Sequence, residues 1–118
     1  MLYEIMEPNF QNIDKRGGLV QLVRDGYSQV NFIYSKAGSV RGGHYHHRNT
    51  EAFYVVRGSF DLVLEHYSGK ETYKFQAGDM FKVFPEVKHT FYYSEDTELI
   101  SLYNYGVELS DGEMDIYQ

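Results

Sequence analysis

The side chains best suited to chemistry are three histidines and one acid. His44 and His46 are two apart, and alternate side chains of a strand share a face, so the two imidazoles point the same way. Glu51 follows five residues after His46, beyond the polar turn Arg48-Asn49-Thr50, and His89 heads a later apolar segment. Three imidazoles and one carboxylate suit a borderline divalent metal, with zinc, iron, nickel and manganese all accepted by such donors. The chain has no Cys, which removes disulfides, thiolate nucleophiles and thiolate metal sites together. Any metal must therefore be held by His and carboxylate, for which His44, His46, Glu51 and His89 are the candidates. The same alternation turns Tyr45 and His47 away, and His47 and His66 read as structural or surface residues.

Donors so far apart in the chain can meet only if separate elements carry them to one place. The 118 residues predict a single domain over 1–118. Aromatic residues make up 17% of the chain, which argues against a disordered segment. With 11 Gly and 2 Pro, tight turns are expected rather than proline-rich linkers. The apolar pattern runs at strand period over Leu19 to Val23, Ser28 to Tyr34, Glu51 to Arg57, Ser59 to His66, Lys70 to Gln76, Met80 to Phe84, His89 to Ser94 and Thr97 to Tyr105. Short strands punctuated by Gly-bearing turns predict an all-β sandwich or barrel. Phe53-Tyr54-Val55-Val56 and Leu99-Ile100-Ser101-Leu102-Tyr103 are apolar on both faces. A second layer must cover the outer face: either a second copy of the chain, which makes a homodimer the expectation, or the N-terminal segment.

Charge and hydropathy remove several function classes. The net charge is -6, so no electrostatic footprint for nucleic acid is present. Four acids, Glu108, Asp111, Glu113 and Asp115, fall in the last stretch without a single Lys or Arg, which reads as a solvated tail or a dimer contact. No apolar run reaches the roughly 20 residues that cross a bilayer. The start, Met-Leu-Tyr-Glu-Ile-Met-Glu-Pro, has neither basic residues nor an apolar stretch of secretory type, so the cytoplasm is the expected compartment.

Glycine spacing adds specificity. Gly38, five residues, His44-x-His46, four residues, Glu51, six residues and Gly58 form a complete first motif of the cupin superfamily, which the chain resembles. The second motif is altered: Gly78 leads to Phe84-Pro85-Glu86-Val87-Lys88-His89, with Pro85 and His89 one residue closer than usual and no Gly after Pro85. The resemblance implies the double-stranded β-helix, or jelly-roll barrel, with one metal held inside by the His pair, Glu51 and His89. A narrower likeness rests on Asp14-Lys15-Arg16-Gly17-Gly18, Gln29-Val30, Ser35-Lys36-Ala37-Gly38 and Arg41-Gly42-Gly43-His44-Tyr45-His46-His47. Here the chain resembles the C-terminal cupin domain of the capsular-polysaccharide bifunctional reductase/epimerase and the WxcM-like sugar-nucleotide 3,4-ketoisomerases. The first likeness implies a zinc-binding C3 epimerase of a UDP-4-keto-6-deoxy sugar. The second implies a metal-free isomerase using the His pair and a strand Tyr, which maps to Phe32 with Tyr34 beside it.

Both relatives take a proton from a carbon next to a ketone. That step needs a base within hydrogen-bond reach and a group that stabilises the developing oxyanion. A metal-bound imidazole has no basic lone pair left, so His44 and His46 act either as ligands or as bases. Strand parity from His89 places Phe91 and Tyr93 on its face, which makes Tyr93 a candidate base or proton donor, with Tyr34 and Tyr103 as weaker candidates. Arg41, just before the His pair, can hold a diphosphate oxygen through its fork, and Lys36 and Arg16 can share that task. The substrate expected on this reading is a 4-keto-6-deoxy sugar linked to UDP or dTDP. The alternatives on the same residues are a non-catalytic metal- or sugar-binding cupin and an iron-dependent dioxygenase.

Overall fold

The structure is a computed structural model and describes residues 2–118. Eleven strands follow in order: β1 Tyr3–Ile5, β2 Phe10–Asp14, β3 Gly17–Gln21, β4 Gln29–Ser35, β5 Val40–His44, β6 Glu51–Arg57, β7 Ser59–His66, β8 Gly69–Gln76, β9 Met80–Val83, β10 Lys88–Tyr93 and β11 Thr97–Tyr103. No helix occurs among the described residues, so none is long and apolar enough to cross a membrane. A five-stranded sheet runs β1-β9-β6-β11-β4 and a four-stranded sheet β5-β10-β7-β8, every pairing antiparallel. The two sheets face each other as the all-β jelly-roll barrel of cupins.

Between the sheets lies an aromatic core. Phe53, Phe60, Phe75, Phe81 and Phe91 are all buried, with Phe75 stacked on Phe81 at 4.1 Å and Phe60 tilted against Phe91 at 5.2 Å. Each carries on the order of 3–5 kcal/mol against truncation to Ala. This core fills one end of the barrel and leaves the other end to the polar donors.

Three strands escape the periodicity reading. The segment Val40–His44 is Val-Arg-Gly-Gly-His, poor in the branched and aromatic residues that mark strands. What makes it a strand is a close approach: a Cβ on Gly42 would sit 2.5 Å from the His89 carbonyl oxygen. Only a glycine lets β5 lie that near β10, and the pairing sets His44 directly opposite His89, with a register shift between His89 and Thr90. β2 and β3 form a separate hairpin, exposed at every residue, so no buried face imposes an alternation on it. β1 is simply short. Elsewhere the expected strands agree with the structure to within two residues, and Leu19 to Val23 is shifted whole, beginning and ending two residues earlier.

The outer face of the five-stranded sheet stays apolar. Val30, Phe32 and Tyr34 on the edge strand β4 are exposed, and the face continues through Ile100 and Tyr54, which pair with it across β11 and β6, to exposed Val56.

Candidate functional site

His44, His46, Glu51 and His89 meet at the open end of the barrel, with one potential ligand atom from each lying within 4.8 Å of the others. Different elements deliver them. His44 ends β5 and His89 lies opposite it on β10, both in the four-stranded sheet. Glu51 opens β6, the central strand of the other sheet, between Val83 and Tyr103. His46 stands beyond the end of β5, in the connection to β6, yet its ring is 5.4 Å from that of His44. The two imidazoles thus share a side, although strand geometry stops at His44.

The hydrogen-bond pattern fixes the proton positions. Nδ1 of His46 lies 2.6 Å from the Asp115 carbonyl oxygen and Nδ1 of His89 lies 3.2 Å from that of Val87. A carbonyl only accepts, so both Nδ1 atoms carry hydrogen. The two Nε2 atoms then converge on the same oxygen, Oε1 of Glu51, at 3.2 and 3.3 Å. The other Glu51 oxygen accepts from the Ser101 hydroxyl at 2.6 Å. Nε2 of His89 has no hydrogen-bond partner among the described residues, although the residue is only 1% exposed.

In the neutral tautomers three lone-pair atoms point at one another. A proton can join His46 to Glu51, but His89 then remains unserved. One ion with several coordination positions serves all of them, and the observed separations match those of two ligands on a tetrahedral zinc, roughly 3.3 Å apart for bonds of about 2.0–2.1 Å. The donor set therefore fits a divalent metal. His46 and His89 also carry the hydrogen bond from the second ring nitrogen that metal-bound histidines usually have. The His44 ring has no such partner among the described residues.

Electrostatics separate the members further. Burial works against the charged forms of both Glu51 and His46. The His46 and His89 rings and the Ser101 hydroxyl outweigh it at Glu51 and hold the carboxyl down at about 2. At His46 the bonds to Glu51 and to the Asp115 carbonyl outweigh it and raise the ring above its ordinary value. His44 goes the other way: burial, then the His89 and His46 rings, push it down to about 4. It is neutral at pH 7 and half-buried.

Above the cluster lies a cavity of about 200 Å³, lined among others by Arg41, His44, Glu51, His89, Tyr93 and Tyr103. Tyr93 and Phe91 line it together with His89, as parity along β10 requires. Burial drives the Tyr93 phenol up, against a hydrogen bond from Ser35 and the charge of Arg41. Burial and the Glu51 charge do the same to Tyr103, which lines the cavity as Tyr34 does not. Both phenols keep their protons at neutral pH, so Tyr93 is a donor rather than a base. Arg41 stands at the cavity wall, where its Nε donates to the Ser35 hydroxyl at 2.7 Å and Nη2 to the Tyr34 carbonyl at 3.3 Å.

Three candidates lie elsewhere. Tyr34 is 70% exposed on the outer face, because alternation along β4 sends Ile33 and Ser35 inward and Phe32 and Tyr34 outward. Lys36 is exposed beside Arg57, Asp96 and Glu98, in a depression separate from the cavity. Arg16 sits at the tip of the β2–β3 hairpin, where it is tied to Asp14 at 2.7 Å. None of the three lines the cavity of its own chain. His47 is exposed and donates to Glu86 at 2.7 Å. Glu86 itself has φ +72°, the left-handed conformation that a glycine after Pro85 would adopt freely.

Sequence reasoning missed the tail. Asp115 is buried and accepts from the backbone N–H groups of His47, Arg48 and Asn49 and from the Asn49 side chain. One acid among four in a polar stretch carries no local signal of burial.

Comparison with known proteins follows the same lines. A profile for the Polysaccharide biosynthesis C-terminal domain matches residues 12–103. The chain is 44% identical over 46 residues to the UDP-2-acetamido-2,6-beta-L-arabino-hexul-4-ose reductase of Pseudomonas aeruginosa, a match spanning 38% of this chain and 12% of that protein. Among solved structures it resembles a mutant of the 3,4-ketoisomerase QdtA from Thermoanaerobacterium thermosaccharolyticum in complex with TDP-4-keto-6-deoxyglucose, with TM-score 0.75, 16% identity and coverage of 87% of this chain and 80% of that one. It also resembles the dTDP-4-dehydrorhamnose 3,5-epimerase of Sulfolobus tokodaii, with TM-score 0.68, 20% identity and coverage of 87% and 75%.

Proposed function

The chain belongs to the Polysaccharide biosynthesis C-terminal domain family, and from that membership we propose that it is a metal-assisted epimerase or isomerase of a 4-keto-6-deoxy sugar linked to UDP or dTDP. The observation that carries the reading is the convergence of two Nε2 atoms on one Glu51 oxygen at the floor of a cavity walled by protonated phenols. Relatives named for 4-keto sugar nucleotides support the substrate class.

His46, Glu51 and His89 would hold the metal, zinc by preference, leaving an open position as catalytic zinc sites do. When bound, the ion supplies Lewis acidity toward a ketone oxygen and the enolate that follows. His44 is the remaining base. Its neutral, half-buried ring faces the cavity without a carbonyl anchor, so it is free to take the proton from the carbon beside the ketone. Tyr93 returns a proton from the phenol side. The cavity of about 200 Å³ is smaller than a pocket for a whole nucleotide sugar, so it takes the sugar ring. The diphosphate lies outside it, against the guanidinium N–H groups of Arg41 that Ser35 and Tyr34 leave free.

The test is proton NMR in deuterium oxide with UDP- and dTDP-linked 4-keto-6-deoxyglucose. Loss of the C3 proton signal is expected, and its retention with both nucleotides overturns the reading. His44→Asn should abolish exchange and leave zinc stoichiometry intact, whereas loss of zinc would make His44 a ligand. Protein that arrives loaded with iron, consumes oxygen and exchanges nothing would belong to the dioxygenase alternative. We further propose that a second copy of the chain covers the apolar face of Val30, Phe32, Tyr34 and Val56. A monomer by light scattering at micromolar concentration would refute it.

A further inference from the structure

The C-terminal segment lies along the loop that carries His46. Tyr45 and Tyr117 exchange both backbone hydrogen bonds, at 2.9 and 3.0 Å, and the Asp115 N–H donates to the Val107 carbonyl at 2.7 Å. Asp115 is thereby inserted between the β5–β6 connection and the segment after β11. Its two oxygens accept from three successive backbone N–H groups, His47 at 2.7 Å and Arg48 and Asn49 at 3.0 Å. Asn49 Nδ2 donates to it at 2.7 Å and to the Gly106 carbonyl at 2.8 Å. The Asn49 side-chain oxygen accepts from Tyr105 and Gly106. Both residues are buried, Asp115 at 1% exposure. The same residue's carbonyl receives the His46 Nδ1 hydrogen at 2.6 Å.

We propose that Asp115 is a positioning residue for the site: its carboxylate locks the His47–Asn49 turn, and its carbonyl holds His46 in the Nδ1–H tautomer that presents Nε2 to Glu51. Unlike His44 and His89, His46 is not held in place by strand pairing, because β5 ends two residues before it. An imidazole on a loop needs its rotamer and tautomer set by something else, and the tail is what the structure supplies. The carboxylate anchors that carbonyl against the turn, alongside the Tyr45–Tyr117 pair and the Val107 bond, so a side-chain change at 115 reaches the ring indirectly. This inference rests on the proposed site only in counting His46 among its donors. The tautomer is a property of the protein whatever reaction follows.

The experiment has a part that needs no variant. Nitrogen-proton correlation NMR of the histidine rings, in metal-free protein at a pH where they are neutral, should show His46 as the Nδ1–H tautomer alone. A Nε2–H or averaged His46 overturns the proposal. Asp115→Ala should then give an averaged His46 and lower zinc affinity about 10- to 100-fold, the usual effect of losing a partner behind a ligand. Asp111→Asn, in the same acidic tail, should change neither. An Asp115→Ala protein that melts lower but keeps both the tautomer and the zinc affinity would make Asp115 a fold residue only, and would also overturn the proposal. Should that variant not fold, the wild-type tautomer still decides. Should wild-type protein bind no zinc, the metal reading fails and the tautomer comparison stands.

Discussion

Adjacent glycines separate two physical effects at the site. Gly42 has φ +97° and Gly43 +76°, so an alanine at either is strained, by about 1–2 kcal/mol. Only at Gly42 does the added methyl meet anything: 2.5 Å to the His89 carbonyl oxygen and 3.2 Å to the Thr90 Cα, against open space at Gly43. Restoring an ordinary C···O contact of roughly 3.3 Å requires β5 and β10 to part by roughly 0.8 Å. Overpacking of that kind adds about 1–3 kcal/mol. Gly43→Ala should therefore cost about 1–2 kcal/mol, and Gly42→Ala about 2–5. At this chain length that is a fall in melting temperature of about 4–8 °C for the first and about 8–20 °C for the second. The parting occurs at His89 itself, opposite His44, so zinc affinity by calorimetry should fall at least about tenfold in Gly42→Ala only. Equal melting temperatures for the two variants, or unchanged zinc binding in Gly42→Ala, would refute the idea that strand approach sets the cluster.

Ser101→Ala removes a hydroxyl donor to Glu51, a bond to a buried charge worth about 1.5–3 kcal/mol, and should lower the melting temperature by about 8 °C. Glu86→Gly relieves a positive φ but loses the pair with His47, whose half-exposed partners contribute under about 1 kcal/mol. Glu86→Ala keeps the strain and loses the pair, so it should melt about 4 °C below Glu86→Gly. Burial pushes the Asp115 carboxyl up, yet the Asn49 side chain and three backbone N–H groups overcome this and hold it below the ordinary Asp range. The folded state then binds its proton at lower pH than the unfolded chain. That stabilisation is complete above about pH 4 and is lost as pH falls through the lower folded value. Denaturant titrations should accordingly show a gap between wild type and Asp115→Asn at pH 7 that narrows by pH 3, and a constant gap would contradict this assignment.

The parts of the molecule legible in the sequence are those in which neighbours in the chain are neighbours in space. β6 and β7 read correctly to the residue, because Phe53, Val55, Phe60, Leu62 and Leu64 are buried at alternate positions. The four donors were legible through spacing alone. What failed depended on register or on distant contacts. Tyr34 and Phe32 differ from Ile33 and Ser35 only in which way β4 is turned, and pairing with β11 decides that. β5 has the composition of a loop and becomes a strand through Gly42 meeting His89. Arg16 looked like a phosphate contact, yet the exposed hairpin carries it away from its own cavity. Asp115 depends on a turn 66 to 68 residues earlier in the chain, a separation no local pattern encodes.

A cupin barrel can also lose its metal and keep its histidines as polar packing, and the two cases differ in how the buried polar atoms pair. In a relaxed polar core nearly every buried donor and acceptor finds a partner. Here Ser101, the Asp115 carbonyl and the Val87 carbonyl satisfy the outer atoms of Glu51, His46 and His89. The inner Nε2 of His89 is left bare, at a cost of about 1–3 kcal/mol. Outer atoms anchored and an inner nitrogen left unpaired is the arrangement of ligands turned toward an ion. If that is its cause, zinc at 100 times its dissociation constant should stabilise the chelated protein by about 2.7 kcal/mol, a rise of about 11 °C in melting temperature at this length. Magnesium, which prefers an oxygen shell, should do far less. A melting temperature indifferent to zinc would mean that the bare nitrogen is a tolerated defect of a polar core, and the metal would have to leave the proposed chemistry.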